Sequence, residues 1–180
     1  MAGQQPDLSQ PYIPVVGHAT GGYSREDEAT ATCYCGTVQL AFPTSKPGVE
    51  ARFICHCLDC RKVTATMFAS NFTVIDPYLR HIRGREALKQ WTQSRTISTG
   101  NSMSNYFCGN CGSLMYRASS GLPGKYFLRI GTVDDFHLHE TRLRPQLEQF
   151  VEGRVGWLQP IEGLRQVKGL HTAADLEGLP

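Results

Sequence analysis

The sequence predicts a mainly β domain, a complex of short antiparallel sheets with few short helices. Three observations predict it. Short segments alternate between apolar and polar residues with a period of two, the pattern of half-buried strands. Glycine and proline, 18 and 10 of 180 residues, interrupt these segments at short intervals. Seven cysteines fall in three tight groups, Cys33/Cys35, Cys55/Cys57/Cys60 and Cys108/Cys111, able to clamp separate parts of a small fold together. The length suits one domain with a proper core.

Taken in order, residues 1–28 are polar and rich in Gly, Pro and Gln, and are expected to form an N-terminal arm. The domain proper is expected over 29–165, with 166–180 as a C-terminal tail. Thr37–Phe42 alternates, with Val38, Leu40 and Phe42 on one face. Pro43 and Ser45–Gly48 break it. Arg52–Ile54 runs into the central cysteines, and Cys60–Thr64 predicts a helical turn. Met67–Val74 is rich in strand formers. Asp76-Pro77 reads as an N-cap followed by proline at the first helical position, which predicts a short helix towards Gly84. Ala87–Thr92, Ser104–Phe107 and Leu114–Arg117 read as strands, with a turn at Ile97–Asn101. Gly121–Gly124 is a turn before the alternating Tyr126, Leu128 and Ile130. Gln146–Val151 predicts a further strand, and Thr172–Leu176 a short helix. Trp91, Tyr106, Phe107 and Trp157 are expected in the core.

Composition excludes several function classes. The net charge of +2 gives no reason to expect nucleic acid or an anionic membrane as partner. No apolar run reaches membrane-span length. Met1–Pro6 carries neither a charged nor an apolar signal region, so the expected location is cytoplasmic. No Gly-rich phosphate loop, dinucleotide fingerprint or Ser-His-Asp pattern is visible.

The cysteines carry the chemistry. An odd count fits a disulfide framework badly, and Cys33 and Cys35 are too close in sequence to bond each other without strain. Clustered thiolates suit a soft metal, zinc above all. Cys33-Tyr34-Cys35-Gly36 and Cys108-Gly109-Asn110-Cys111-Gly112 are two pairs with turn glycines, and together they supply the four ligands of a closed structural site. The trio Cys55, Cys57 and Cys60 is then left with its own ion and an open position, the mark of a catalytic site. A competing partition puts Cys55 or Cys57, with Cys60 and one outer pair, in the closed site, and spacing alone leaves it open. His56 lies between two ligands and is expected to pack beside the site, because neighbouring side chains diverge. Three thiolates leave a Zn²⁺ centre with a charge of −1, so water activation is expected to be poor and thiol binding good. Arg61 and Lys62 could offset that charge or bind a carboxylate. His137 and His139 read as a surface loop, and Asp134-Asp135 as a turn at a strand end.

The order C-x-C-G (Cys33–Gly36), C-H-C-x-x-C-R (Cys55–Arg61) and F-C-x-x-C-G-S (Phe107–Ser113) resembles the glutathione-dependent formaldehyde-activating enzyme family, which includes the centromere protein V relatives. Ile130–Asp135 and Trp157-Leu158 extend the resemblance over about residues 30–160. Glu148 stands where family members often carry His. The resemblance implies a β-rich fold built around zinc, with a structural ion on Cys33, Cys35, Cys108 and Cys111 and a catalytic one on Cys55, Cys57 and Cys60, two Zn²⁺ per chain. It implies the joining of formaldehyde and glutathione to S-(hydroxymethyl)glutathione, a carbon–sulfur lyase activity. The same chemistry on a glutathione adduct or a larger carbonyl is the first alternative. A non-enzymatic zinc-stabilised binding module is the second; it calls for a basic tail or charge run, and neither is present.

Overall fold

The computed structural model describes residues 7–179, so the readings made on Met1–Pro6 lie outside the described residues. In chain order the strands are β1 (Glu28–Thr32), β2 (Gln39–Pro43), β3 (Val49–Cys55), β4 (Ala69–Ile75), β5 (Arg80–Arg83), β6 (Leu88–Gln93), β7 (Met103–Cys108), β8 (Leu114–Ser119), β9 (Lys125–Arg129), β10 (Leu147–Gln149) and β11 (Arg165–Val167). Two short α-helices, α1 (Leu58–Thr64) and α2 (Phe136–Glu140), interrupt them. The fold is mainly β, as expected.

The strands form two sheets. One has three strands in the order β1-β2-β5; the other has eight, in the order β11-β10-β3-β4-β9-β8-β7-β6. Every pairing is antiparallel except those of β10, which runs parallel to both β3 and β11. That exception follows from topology: β10 returns through α2 and a long connection rather than a hairpin, which lets it enter the sheet in the same direction as β3.

Because strand side chains alternate, the large sheet has two separate faces. Phe72, Val74, Tyr116 and Leu128 point to one face and pack with Leu40 and Phe42 of the small sheet. The rings of Phe42 and Phe72 sit 4.8 Å apart at 59°. This core also buries Cys33 and Cys108. On the other face Ala51, Phe53, Cys55, Cys60, Ala69 and Leu147 form a second, smaller core. Phe53 is in register with Asn71, and Asn71 with Arg129, so polar groups cross that face at mid-sheet.

Residues 7–27 lie against the domain. The Tyr12 N–H donates to Asp135 Oδ1 at 2.8 Å, the Phe136 N–H donates to the Tyr12 carbonyl, and the His18 N–H to the Tyr34 carbonyl.

Three expectations are corrected. The helix expected after Asp76-Pro77 is a turn leading into β5: the Tyr78 N–H closes on the Ile75 carbonyl and the Asp76 N–H on the Gly124 carbonyl. Arg80–Arg83 then find backbone partners along β2, which a one-turn helix would forfeit. Trp91 and Trp157 are exposed, 57% and 71%, not core. Trp91 lies on the edge strand β6, on the site face, and Trp157 lies in the turn that follows a 3-10 turn at Val151–Gly153. The H-x-H pair lies on α2 rather than in a surface loop. His137 Nδ1 is 2.6 Å from the Leu8 carbonyl and His139 Nε2 3.1 Å from the Val133 carbonyl. The short helix expected over Thr172–Leu176 is present as a 3-10 helix at Ala174–Leu176.

Phe72 is fully buried at the centre of the larger core. Phe72→Ala should cost roughly 3–5 kcal/mol, the range for an aromatic truncated in a close-packed interior, read as the drop in urea-unfolding free energy at unchanged m-value.

Candidate functional site

The seven thiols gather as four and three. Cys33, Cys35, Cys108 and Cys111 lie with all sulfurs within 4.8 Å of one another, and so do Cys55, Cys57 and Cys60. Among the described residues no other group of three or more His, Cys, Asp or Glu could hold a metal ion. The competing partition is therefore not the one the fold adopts.

Two hairpin turns build the four-cysteine cluster. One joins β1 to β2: the Cys33 N–H donates to the Val38 carbonyl, and the Gly36 and Val38 N–H groups return to the Cys33 carbonyl and sulfur. Gly36 must be glycine here. Its φ is +77°, and an added Cβ would lie 2.3 Å from the His18 carbonyl oxygen. The other turn joins β7 to β8, with the Cys108 N–H on the Ser113 carbonyl and the Gly112 N–H on the Cys108 carbonyl. The turns touch directly: the Tyr34 N–H donates to Ser113 Oγ at 3.1 Å. Cys33 Sγ lies 3.6 Å from Cys35 Sγ, which lies 3.7 Å from Cys108 Sγ. Burial pushes the Cys33 thiol up to about 12, while the Thr37 hydroxyl and N–H hold Cys35 down to about 5. Since β1 and β2 belong to the small sheet and β7 and β8 to the large one, this cluster spans the two sheets.

The trio sits on the opposite face. Cys55 ends β3, Cys57 caps α1 by accepting the Cys60 N–H at 3.3 Å, and Cys60 falls in the first turn of that helix. The chain therefore turns sharply over Cys55–Cys60, and this turn brings three sulfurs to one point. Cys57 and Cys60 line a cavity of about 1300 Å³. Arg61 and Lys62 stand at its wall, with Arg61 Nη1 donating to the Gly153 carbonyl at 3.1 Å. Hydrogen bonds from Cys55 and Cys57 hold Cys60 well below the ordinary thiol range, and the nearby Arg117 and Arg129 add to this. Cys55, hydrogen-bonded to the other two and buried, is pushed up.

His56 does not join the sulfurs. Its Nε2 lies 2.6 Å from Glu148 Oε2, and both residues are fully buried. Glu148 also accepts from the Ile161 N–H at 2.7 Å and Gln166 Nε2 at 3.1 Å, and pairs with Arg154 at 3.2 Å. With the His56 N–H on the Gln149 carbonyl, this network ties the cysteine turn to β10. Gly153 closes the same junction, where an added Cβ would lie 2.6 Å from the His56 carbonyl oxygen. Asp134 accepts from the hydroxyls of Thr30 and Thr32, and Asp135 caps α2 through the His137 N–H, so both carboxylates serve turns.

Sequence reasoning missed Asn71, Arg117 and Arg129, which floor the cavity beside the trio. Arg117 Nη1 is 3.2 Å from Cys60 Sγ, and Arg129 Nη1 bonds to Asn71 Oδ1. A signal existed: both arginines stand in period-two strands at positions opposite the core-facing Tyr116 and Leu128.

The family profile described as glutathione-dependent formaldehyde-activating enzyme matches residues 28–153. The chain belongs to that family. The match contains all seven cysteines, His56 and Glu148, and ends before Trp157. A search of curated proteins gave no match. Among solved structures, the crystal structure of a Rhodobacter sphaeroides protein is similar at 19% identity with a TM-score of 0.44, over 77% of this chain and 98% of that one.

Burial by itself would raise the Glu148 pKa. Its hydrogen bonds from Ile161, Gln166 and His56, with the Arg154 charge, overcome this and hold it below the ordinary glutamate value. A carboxylate depressed in the native state stabilises fully above its unfolded pKa of about 4.3, and that stabilisation is lost as pH falls through the lower native value. Glu148→Gln should therefore lower the unfolding free energy by roughly 1–3 kcal/mol at pH 7. The gap to wild type should hold constant from pH 7 to about pH 5 and close as urea titrations are carried below about pH 4.3.

Proposed function

We propose that the chain is a zinc-dependent carbon–sulfur lyase that joins a thiol, with glutathione as the leading candidate, to an electrophilic carbon. The observation that carries this reading is the trio: three sulfurs converge beside a large cavity, and no fourth His, Cys, Asp or Glu among the described residues joins them. The four-cysteine cluster supports a structural ion. A tetrahedron with Zn–S of about 2.3 Å has sulfur–sulfur edges of about 3.8 Å, against the 3.6 and 3.7 Å seen. Cys33, Cys35, Cys108 and Cys111 would hold that zinc, and Cys55, Cys57 and Cys60 the catalytic one.

When bound at the trio, zinc would keep a thiol sulfur deprotonated and nucleophilic. The remaining work falls to the chain. The cavity wall holds thiol and electrophile together, which removes the entropic cost of their encounter. The sulfur forms a bond to the carbonyl carbon, the carbonyl π pair moves to oxygen, and the proton given up by the thiol ends on that oxygen. Arg61 and Lys62 supply positive charge at the wall, suited to the carboxylates of a glutathione-like thiol. Seven free cysteines suit a reducing compartment, in keeping with a cytoplasmic enzyme.

A second reading of the electrophile is favoured by the cavity itself. At about 1300 Å³ it exceeds the roughly 300–1,000 Å³ typical of small-molecule sites. Phe53, Met67, Ile97, Met103, Leu122 and Phe127 give much of it an apolar lining. A one-carbon aldehyde has no use for that surface, so a larger carbonyl or a glutathione adduct with an apolar skeleton suits it better than formaldehyde.

Metal analysis of purified protein should find about two zinc ions per chain, falling to about one in Cys55→Ser with the far-UV circular dichroism retained. One ion in the wild type would contradict the split. Adduct formation followed by NMR with glutathione and either formaldehyde or an aryl aldehyde should exceed the uncatalysed blank, more so for the aryl aldehyde. Equal rates with and without protein for every thiol and carbonyl tried, in fully zinc-loaded protein, would remove the lyase reading in favour of a binding module.

A further inference from the structure

Arg117 on β8 and Arg129 on β9 have no part in the chemistry so far, yet their placement is costly. Each is only 6% exposed. Among the described residues, neither forms an ion pair with a carboxylate. Arg117 Nε, Arg129 Nε and Arg129 Nη2 are buried without a hydrogen-bond partner among them. A buried guanidinium without a counter-charge is strongly unfavourable, so two side by side require negative charge nearby. The charge at hand is the sulfur trio: Arg117 Nη1 lies 3.2 Å from Cys60 Sγ, and Arg129 lines the same cavity as Cys57 and Cys60 and feels the charge of Cys60 and Cys55.

A charge count then specifies the ligand. Three thiolates and a divalent ion sum to −1, and the two guanidinium groups bring the buried centre to +1. An anionic fourth ligand closes the sum at zero, whereas a neutral one leaves a buried positive charge uncompensated. We propose that Arg117 and Arg129 are positioning residues that make the trio select an anionic sulfur ligand over a neutral one. This rests on the reading of the trio as an open metal site. Because their free nitrogens are sealed from solvent, the arginines act through charge on the centre and not as a handle for a distant substrate carboxylate. Asn71 fixes Arg129 from β4, one strand over. Arg61 and Lys62 stand further out on the cavity wall and complete its positive character.

The full chain loaded with Co²⁺ tests this without turnover, since the ligand-field bands of the open site shift when a fourth ligand binds. Two probes without a carboxylate are used at pH 7.5, 2-mercaptoethanol and imidazole. Wild type should bind mercaptoethanol at least tenfold more tightly than imidazole. Arg117→Met and Arg129→Met should each weaken mercaptoethanol about tenfold or more and leave imidazole unchanged or tighter. Arg117→Lys and Arg129→Lys, which keep the charge, should restore most of the preference. Equal weakening of both probes would mean that the arginines only hold the fold, and unchanged mercaptoethanol binding would mean that they do not act on the ligand; either result overturns the proposal. Should the Met variants fail to fold, a wild type that binds imidazole as tightly as mercaptoethanol overturns it alone. A wild type that binds neither probe instead removes the open-site reading beneath it.

Discussion

The junction between two hairpin turns is what the rest of the structure depends on. The β1–β2 turn brings Cys33 and Cys35 to meet Cys108 and Cys111 from the β7–β8 turn, across 72 intervening residues of chain. Each turn closes on itself, the Gly36 N–H on the Cys33 carbonyl and the Gly112 N–H on the Cys108 carbonyl, and the Tyr34 N–H on Ser113 Oγ joins the two. The small sheet is held against the large one at this point, and Leu40, Phe42, Phe72 and Leu128 fill the space between them. A thiol buried among such side chains resists ionisation, as the raised Cys33 shows, so a positive charge bound among the four sulfurs would be the natural compensation.

With that face of the large sheet committed to the core, the other is free to carry chemistry. Period-two alternation makes the division sharp: Phe72 goes inward and Asn71 outward, and likewise Leu128 and Arg129, and Tyr116 and Arg117. The outward set converges on the turn that carries the trio. The buried His56–Glu148–Arg154 network then fastens that turn to β10 from behind. A rigid backing on one side and an open cavity on the other is the arrangement a reactive site needs, because positioning is lost when the supporting shell is loose.

Much of the strand inventory was legible in the sequence. Val38/Leu40/Phe42 and Tyr126/Leu128/Ile130 announce their strands by alternation, and the observed bounds shift by only a few residues. The losses have physical causes. β1 reads Glu-Ala-Thr-Ala-Thr, too weakly apolar to stand out, and becomes buried only by lying beside β2. β5 carries a helix-start signal at Asp76-Pro77 that the edge of β2 overrides. β10 and β11 are three residues each and take their identity from neighbours rather than from local pattern. Trp91 and Trp157 look like core residues by type alone, and tertiary position leaves both in solvent.

For the site, the cysteine spacing determined on its own that three local thiol groups form, because C-x-C, C-x-x-C and C-x-C-x-x-C each keep their sulfurs close along the chain. Tertiary structure decided how those clusters combine, since only the meeting of two distant turns separates four sulfurs from three. It also decided what surrounds the trio. A buried arginine and a surface arginine are the same letter in sequence, and nothing in the residues around Glu148 shows that His56 and Arg154 close on it. Charge placement of this kind depends on long-range strand register, which single-residue patterns do not encode. The Cys55–Cys60 turn could therefore be located from the sequence alone, while its electrostatic environment came only with the folded sheet.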